Sequence, residues 1–121
     1  MASKHDHLMQ QHHLLVINQY PESRLFRRDV GLYYRRDGVP IRIGLPGQAD
    51  SWGIIKIEKF LIHVEFEYKI GKDIQSKDQK NWQSVIESLG GIYILVKDTP
   101  DEAMLILKKR IMELHECLNT F

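Results

Sequence analysis

From Ile62 to Ile70 the chain alternates apolar and polar residues, Ile-His-Val-Glu-Phe-Glu-Tyr-Lys-Ile, with the period of two that marks a half-buried strand. That alternation predicts that Val64, Phe66, Tyr68 and Ile70 enter the core, and that Glu67 and Lys69 stand side by side on the opposite face. Near the start, Leu8 and Leu15, and Met9 and Val16, lie seven apart. They predict an amphipathic helix over 4–19 with Asp6, Gln10 and His13 on another face. Tyr20-Pro21-Glu22 ends it, because proline removes a donor and restricts its predecessor. Two strands over 30–36 and 39–44 follow, joined at Asp37-Gly38 as a two-residue hairpin turn. After the Gly44-Leu45-Pro46-Gly47 loop, residues 50–56 read as a strand that turns at Glu58-Lys59 into the alternating one.

Beyond Lys69, Ser76-Lys77-Asp78-Gln79 has the pattern of a helix N-cap with its reciprocal third-position partner. Trp82, Val85, Ile86 and Leu89 give that helix one apolar stripe, and Gly90 is placed to close it in the left-handed conformation. Residues 92–96 form a short, wholly apolar strand. Thr99 as N-cap, Pro100 at the first helical position, and Asp101 and Glu102 in the first turn start a third helix that runs to about Leu118. The Glu67 strand and the Ile92 strand are joined through a helix, which predicts a parallel pair with a right-handed crossover. The expected fold is a mixed α/β sheet flanked by helices.

At 121 residues, with 43% hydrophobic and 27% charged positions, the chain reads as one soluble domain over 1–121. Apolar runs such as 92–96 and 103–107 are too short to span a bilayer, and the N-terminus is polar and His-rich rather than signal-like. Cys117 is the only cysteine, which excludes an intrachain disulfide and a cysteine-rich zinc site. Together these predict a cytoplasmic protein with no membrane partner, and no motif among them calls for an organic cofactor.

The formal net charge of +1 conceals a basic segment, because six of the seven arginines (Arg24, Arg27, Arg28, Arg35, Arg36, Arg42) fall together. Guanidinium forks match phosphate oxygens, so the segment is either a phosphate-binding surface or a solvated hairpin with scattered charge. Arg27, Arg28, Arg35, Arg36 and Arg42, with Lys72 and Lys80, are the candidate DNA contacts. The sharper chemistry lies between Gly47 and Lys69. If Asp50 ends a neighbouring strand, its carboxylate, that of Glu67 and the Lys69 ammonium converge as a divalent-metal phosphodiesterase site requires. The plain alternative makes Asp50 a turn residue, and Glu67 with Lys69 an exposed ion pair of little energetic weight.

The residues that decide between these run in order: Asp6 with Gln10, Arg24-Leu25-Phe26-Arg27 leading into Val30-Gly31, Arg42 to Asp50, Glu67-Tyr68-Lys69, Ser76-Lys77-Asp78-Gln79, and Gly90-Gly91. Over roughly three quarters of its length the chain resembles a small, stand-alone member of the virus-type replication-repair nuclease (VRR-NUC) family of the PD-(D/E)xK nuclease superfamily. The resemblance implies a restriction-endonuclease-like core in the order α-β-β-β-α-β-α. It also implies a homodimeric, Mg²⁺- or Mn²⁺-dependent endonuclease that cuts branched DNA such as four-way junctions, in the manner of a Holliday-junction resolvase. By it Asp50 and Glu67 hold the metal, the Tyr68 carbonyl is a further ligand, and Lys69 orients or activates the attacking water. Asp6 takes the place of a first-helix glutamate, one methylene longer, and contacts the metal directly or through water. Gln79 sits beside the site and also completes the capping pattern with Ser76.

Glu65, on the Glu67 face, is either a spare ligand or a solvated acid. His5, His7, His12 and His13 read as exposed imidazoles on a fraying helix, without the spacing of a paired-ligand zinc motif. Trp82 reads as core, and one of Tyr33 and Tyr34 points outward by alternation. The competing function is a non-catalytic module that recognises branched DNA without cutting it.

Overall fold

Ser3 and Ser76 each cap a helix reciprocally. The hydroxyl accepts the third residue's amide, and that residue's side chain reaches back to the serine amide, as Asp6 does for Ser3 and Gln79 for Ser76. The computed structural model describes residues 3–29 and 31–118. Its elements are α1 (Lys4–Gln19), β1 (Ser23–Arg27), β2 (Gly31–Tyr34), β3 (Pro40–Ile43), β4 (Ser51–Ile57), β5 (Phe60–Lys69), α2 (Lys77–Ser88), β6 (Ile92–Lys97) and α3 (Asp101–Leu118).

The main sheet has the order β1-β4-β5-β6, with β1/β4 and β4/β5 antiparallel and β5/β6 parallel, as the connection through α2 requires. Val64, Phe66 and Tyr68 of β5 join Ile55 and Ile57 of β4 and Ile92, Ile94 and Val96 of β6 on one face. Leu8, Met9 and Val16 of α1 and Ala103 and Leu107 of α3 cover them. On the other face Tyr93 packs with Ile86 of α2 and with Ala49, and Trp82 leans against them. This is a mixed α/β protein with a helix layer on each side of a mixed sheet.

Readings from the sequence change at β1, at the β2-β3 hairpin, in α2 and in β5. The edge strand β1 was not expected, and it pairs along its whole length with β4. The hairpin of β2 and β3 forms a separate two-stranded sheet. Its loop has three residues: the Gly38 amide donates to the Arg35 carbonyl (2.9 Å), the Arg35 amide to the Val39 carbonyl (2.9 Å), and Gly38 takes φ 85°. Val30, the expected start of that hairpin, lies outside the described residues. On this hairpin Tyr33 and Tyr34 are both exposed rather than one of them. The expected stripe of α2 buries only Ile86 fully, since Val85 and Leu89 face outward, although Gly90 does follow the helix at φ 89°. Lastly, β5 is buried on both faces toward its C-terminal end, because α2 covers the side that alternation assigned to solvent. Among the described residues, no helix is long and apolar enough to cross a membrane.

His12 is also inside, at 0% exposure, rather than on an exposed face. Its Nδ1 shares a 2.7 Å hydrogen bond with the Tyr68 hydroxyl, and its ring meets Phe66 edge-on at 4.4 Å. Burial, with His13 alongside, holds its pKa down at about 3. The unfolded chain takes up a proton near pH 6.5 that the folded chain refuses. The stability involved is therefore whole above pH 6.5 and is lost as pH falls toward 3, by up to about 1.4 kcal/mol per pH unit for this one group. Urea unfolding measured between pH 7 and 4 should show this decline, and His12→Asn, which keeps a polar atom near the Nδ1 position, should flatten it.

Candidate active site

The register of β4 and β5 assembles the site. Ser51 pairs with Phe66, so one further step along the antiparallel ladder sets Asp50 opposite Glu67. The Tyr68 amide donates to Asp50 Oδ2 at 2.9 Å, and the Asp50 carbonyl accepts the Arg28 amide at 2.8 Å, which fixes both ends of the aspartate. The loop before it lies hard against α2: Gly47 has φ 86°, and a Cβ there would collide with the Asp78 carbonyl, so only glycine fits.

Gln79 joins the remaining groups. Its Oε1 accepts from the Ser76 amide (2.8 Å) and from Lys69 Nζ (2.9 Å), while its Nε2 donates to Glu67 Oε1 at 3.0 Å. The capping role and the place beside the carboxylate thus belong to one side chain. Lys69 Nζ stands 3.8 Å from Glu67 Oε1. Glu67 is 2% exposed, and its Oε2 is buried with no hydrogen-bond partner among the described residues. Burial first, then repulsion from Asp50, push the Glu67 pKa up to about 8 against the pull of Lys69.

Glu65 is neither a solvated acid nor a spare ligand. At 1% exposure it accepts Arg28 Nη1 at 2.5 Å and Nη2 at 3.2 Å, His63 Nε2 at 2.6 Å and Trp82 Nε1 at 2.8 Å. Burial alone raises its pKa, but the Arg28, His63 and Trp82 hydrogen bonds outweigh burial and the net shift is downward. Arg28 Nη1 also donates to the Ala49 carbonyl at 3.1 Å. One buried carboxylate therefore ties the segment carrying Asp50 to the helix carrying Gln79. Sequence reasoning missed this node, whose only signal was that Glu65 shares a face with Glu67. Trp82 is correspondingly half-buried, with its indole N–H engaged, rather than purely core.

Asp6 does not face Asp50 with its carboxylate. It is held by the Ser3 cap and by Arg27 (Nη1–Oδ1 3.1 Å), and the cap hydrogen bonds, foremost the Ser3 hydroxyl, lower its pKa. His5, one residue earlier, is the α1 group that reaches Asp50, at 3.0 Å from Nε2 to Oδ2. Tyr68 touches Asp50 through its amide; its side chain runs into the core, bonded to His12 and, at 3.3 Å, to Ser51. Among the candidate DNA contacts, Arg28 is committed to Glu65, Arg27 also faces Asp29 at 3.8 Å, and Arg35 pairs with Asp37 at 2.8 Å. Arg36, Arg42, Lys72 and Lys80 are exposed.

Among the described residues, no three His, Cys, Asp or Glu side chains are already spaced as a metal cage. The donor chemistry nevertheless suits a hard divalent cation. Two opposed carboxyl groups, one with an unpartnered buried oxygen, present hard oxygen donors of the kind such a cation accepts. No family model matches the chain, and no curated protein matches it.

Proposed function

We propose that the protein is a Mg²⁺- or Mn²⁺-dependent, structure-selective DNA endonuclease of the VRR-NUC kind, with a restriction-endonuclease-like core into which the β2-β3 hairpin is inserted. The observation that carries this reading is the convergence of Asp50, Glu67, Lys69 and Gln79 at adjoining strand ends and a helix N-terminus. Outside the hairpin, the element order α1-β1-β4-β5-α2-β6-α3 supports the core assignment.

Asp50 and Glu67 would hold the cation, which supplies charge neutralisation at the phosphoryl oxygens and a more acidic bound water. The rest of the chemistry falls to the chain's own groups. Gln79 holds Lys69 beside Glu67, so a cationic hydrogen-bond donor stands fixed next to the carboxylates and can orient an attacking water. The free amides of the first turn of α2 add a binding site for a phosphate oxygen. The exposed Arg36, Arg42, Lys72 and Lys80 would contact the DNA backbone. Leu105, 70% exposed on α3, and Leu32, Tyr34 and Ile41 on the hairpin give a second copy apolar surface to cover, in keeping with a homodimer.

The test is a panel of labelled single-stranded, duplex, flap and four-way DNA incubated with Mg²⁺ or Mn²⁺, using wild-type protein and Lys69→Ala. Wild type should cut branched substrates best, and Lys69→Ala should cut at least about a hundredfold more slowly while binding them with similar affinity. Salt-sensitive binding of branched DNA with no cleavage in either metal would replace the enzyme with a recognition module.

A further inference from the structure

The first turn of α1 divides its side chains between two tasks. Asp6, the third residue of the capped turn, turns back to the Ser3 amide and across to Arg27. His5 precedes it by one residue, about 100° around the helix, and is directed at Asp50. Its Nε2 lies 3.0 Å from Asp50 Oδ2, and its ring meets the Tyr68 ring edge-on at 6.0 Å and 84°. Farther along α1, the His12 to Tyr68 hydrogen bond anchors the same helix to the same strand, so His5 is held in place from both sides.

A nitrogen and an oxygen at this separation have two chemical uses. One is a hydrogen bond that orients Asp50. The other is joint coordination: adjacent ligands of an octahedral ion, each about 2.1 Å from it, stand about 3 Å apart. Among the described residues that hydrogen-bond to Asp50, His5 is the one that carries an imidazole nitrogen. Resting on the nuclease reading above, we propose that His5 is a nitrogen ligand of the divalent cation held by Asp50 and Glu67, and that it biases the site toward Mn²⁺ over Mg²⁺. Mg²⁺ keeps oxygen ligands and its own water, whereas first-row transition ions accept imidazole readily. To bind, Nε2 gives up its hydrogen and the ring carries its proton on Nδ1, the tautomer that ligating histidines adopt.

Calorimetric titration of Mn²⁺ and of Mg²⁺ into the full chain separates the two uses, with wild type, His5→Ala and His5→Gln compared. His5→Gln keeps a hydrogen-bond donor for Asp50 but not the imidazole. Both variants should weaken Mn²⁺ binding by about tenfold or more and change Mg²⁺ binding by less than about threefold. Pulsed electron paramagnetic resonance of the Mn²⁺-loaded wild type should show a nitrogen coupling that disappears in His5→Gln. Three results would overturn the assignment of His5 alone: unchanged Mn²⁺ affinity in His5→Gln, equal losses for both metals, or a coupling that persists in the variant. A wild-type protein that binds neither cation would overturn the nuclease reading with it.

Discussion

Glu67→Gln is expected to abolish metal-dependent cleavage and, in the same molecule, to make the fold more stable. A carboxylate ligand contributes several kcal/mol to the transition state through the cation it holds, so the rate should fall by at least about 10³. The stability gain follows from proton linkage. The folded pKa of Glu67 is raised to about 8 by burial and by Asp50, against 4.5 for the free side chain. Between those values the folded chain holds a proton that the unfolded chain has released, so wild-type stability declines as pH rises from 4.5 to 8 and levels off beyond. Glutamine carries no charge at any of these pH values, and its carbonyl oxygen can still accept from Gln79 Nε2 as Glu67 Oε1 does. Thermal unfolding at pH 8 should therefore show the variant more stable by roughly 2–4 kcal/mol, with the gap closing near pH 4.5. Added Mn²⁺ should raise the wild-type midpoint and leave the variant's nearly unmoved. A variant less stable than wild type at pH 8 would mean that Glu67 is a stably ionised, fully paired carboxylate.

Glu65→Ala has the opposite expected sign and a comparable size. It removes every acceptor that Arg28, His63 and Trp82 share, and strands the Arg28 guanidinium, whose side chain is 15% exposed. Breaking a buried ion pair from one side costs about 3–5 kcal/mol, because the remaining charge stays desolvated. Chemical denaturation should register that loss. Metal affinity should fall as well, since Arg28 would no longer be locked while it holds the Ala49 and Asp50 carbonyls. Replacing both members, as Glu65→Leu with Arg28→Met, should recover most of the stability, and a double-mutant cycle would measure the coupling directly. A single-variant loss below about 1 kcal/mol would show that the pair is solvated rather than buried.

What the sequence disclosed, and what it hid, follows from the range of the interactions. The Ser76 capping box, the β4-β5 turn and the ends of α2 depend on residues a few positions apart, so their patterns are local, while the parallel pairing of β5 with β6 follows from the helix that joins them. The juxtaposition of Asp50, Glu67 and Lys69 was also legible, because period-two alternation fixes Glu67 and Lys69 and a short connection brings Asp50 to the neighbouring strand. The edge strand β1 was hidden by its composition: Ser-Arg-Leu-Phe-Arg carries three polar residues and becomes a strand only by pairing with β4, far along the chain.

The same non-locality concealed the Glu65 node. Alternation distinguishes two faces but does not say that a crossover helix will cover the polar one, so it leaves Glu65 as either a spare ligand or a solvated acid, whereas Trp82 and Arg28 enclose it. His12 reads as exposed by residue type, yet the fold buries it with Nδ1 bonded to the Tyr68 hydroxyl and Nε2 without a hydrogen-bond partner among the described residues. That His5, and not Asp6, hydrogen-bonds Asp50 reflects the geometry of a helix, where one residue is a rotation of about 100°.

The most direct measurement is Mn²⁺-dependent cleavage of a labelled four-way DNA junction by wild type and by Asp50→Asn at matched concentration, with folding of both verified by circular dichroism. Cleavage by wild type that requires the cation, and its loss by at least about 10³ in the variant, is the predicted result. Undiminished cleavage by Asp50→Asn, or no cleavage by well-folded wild type with either Mn²⁺ or Mg²⁺, would contradict the assignment of these residues to a nuclease site.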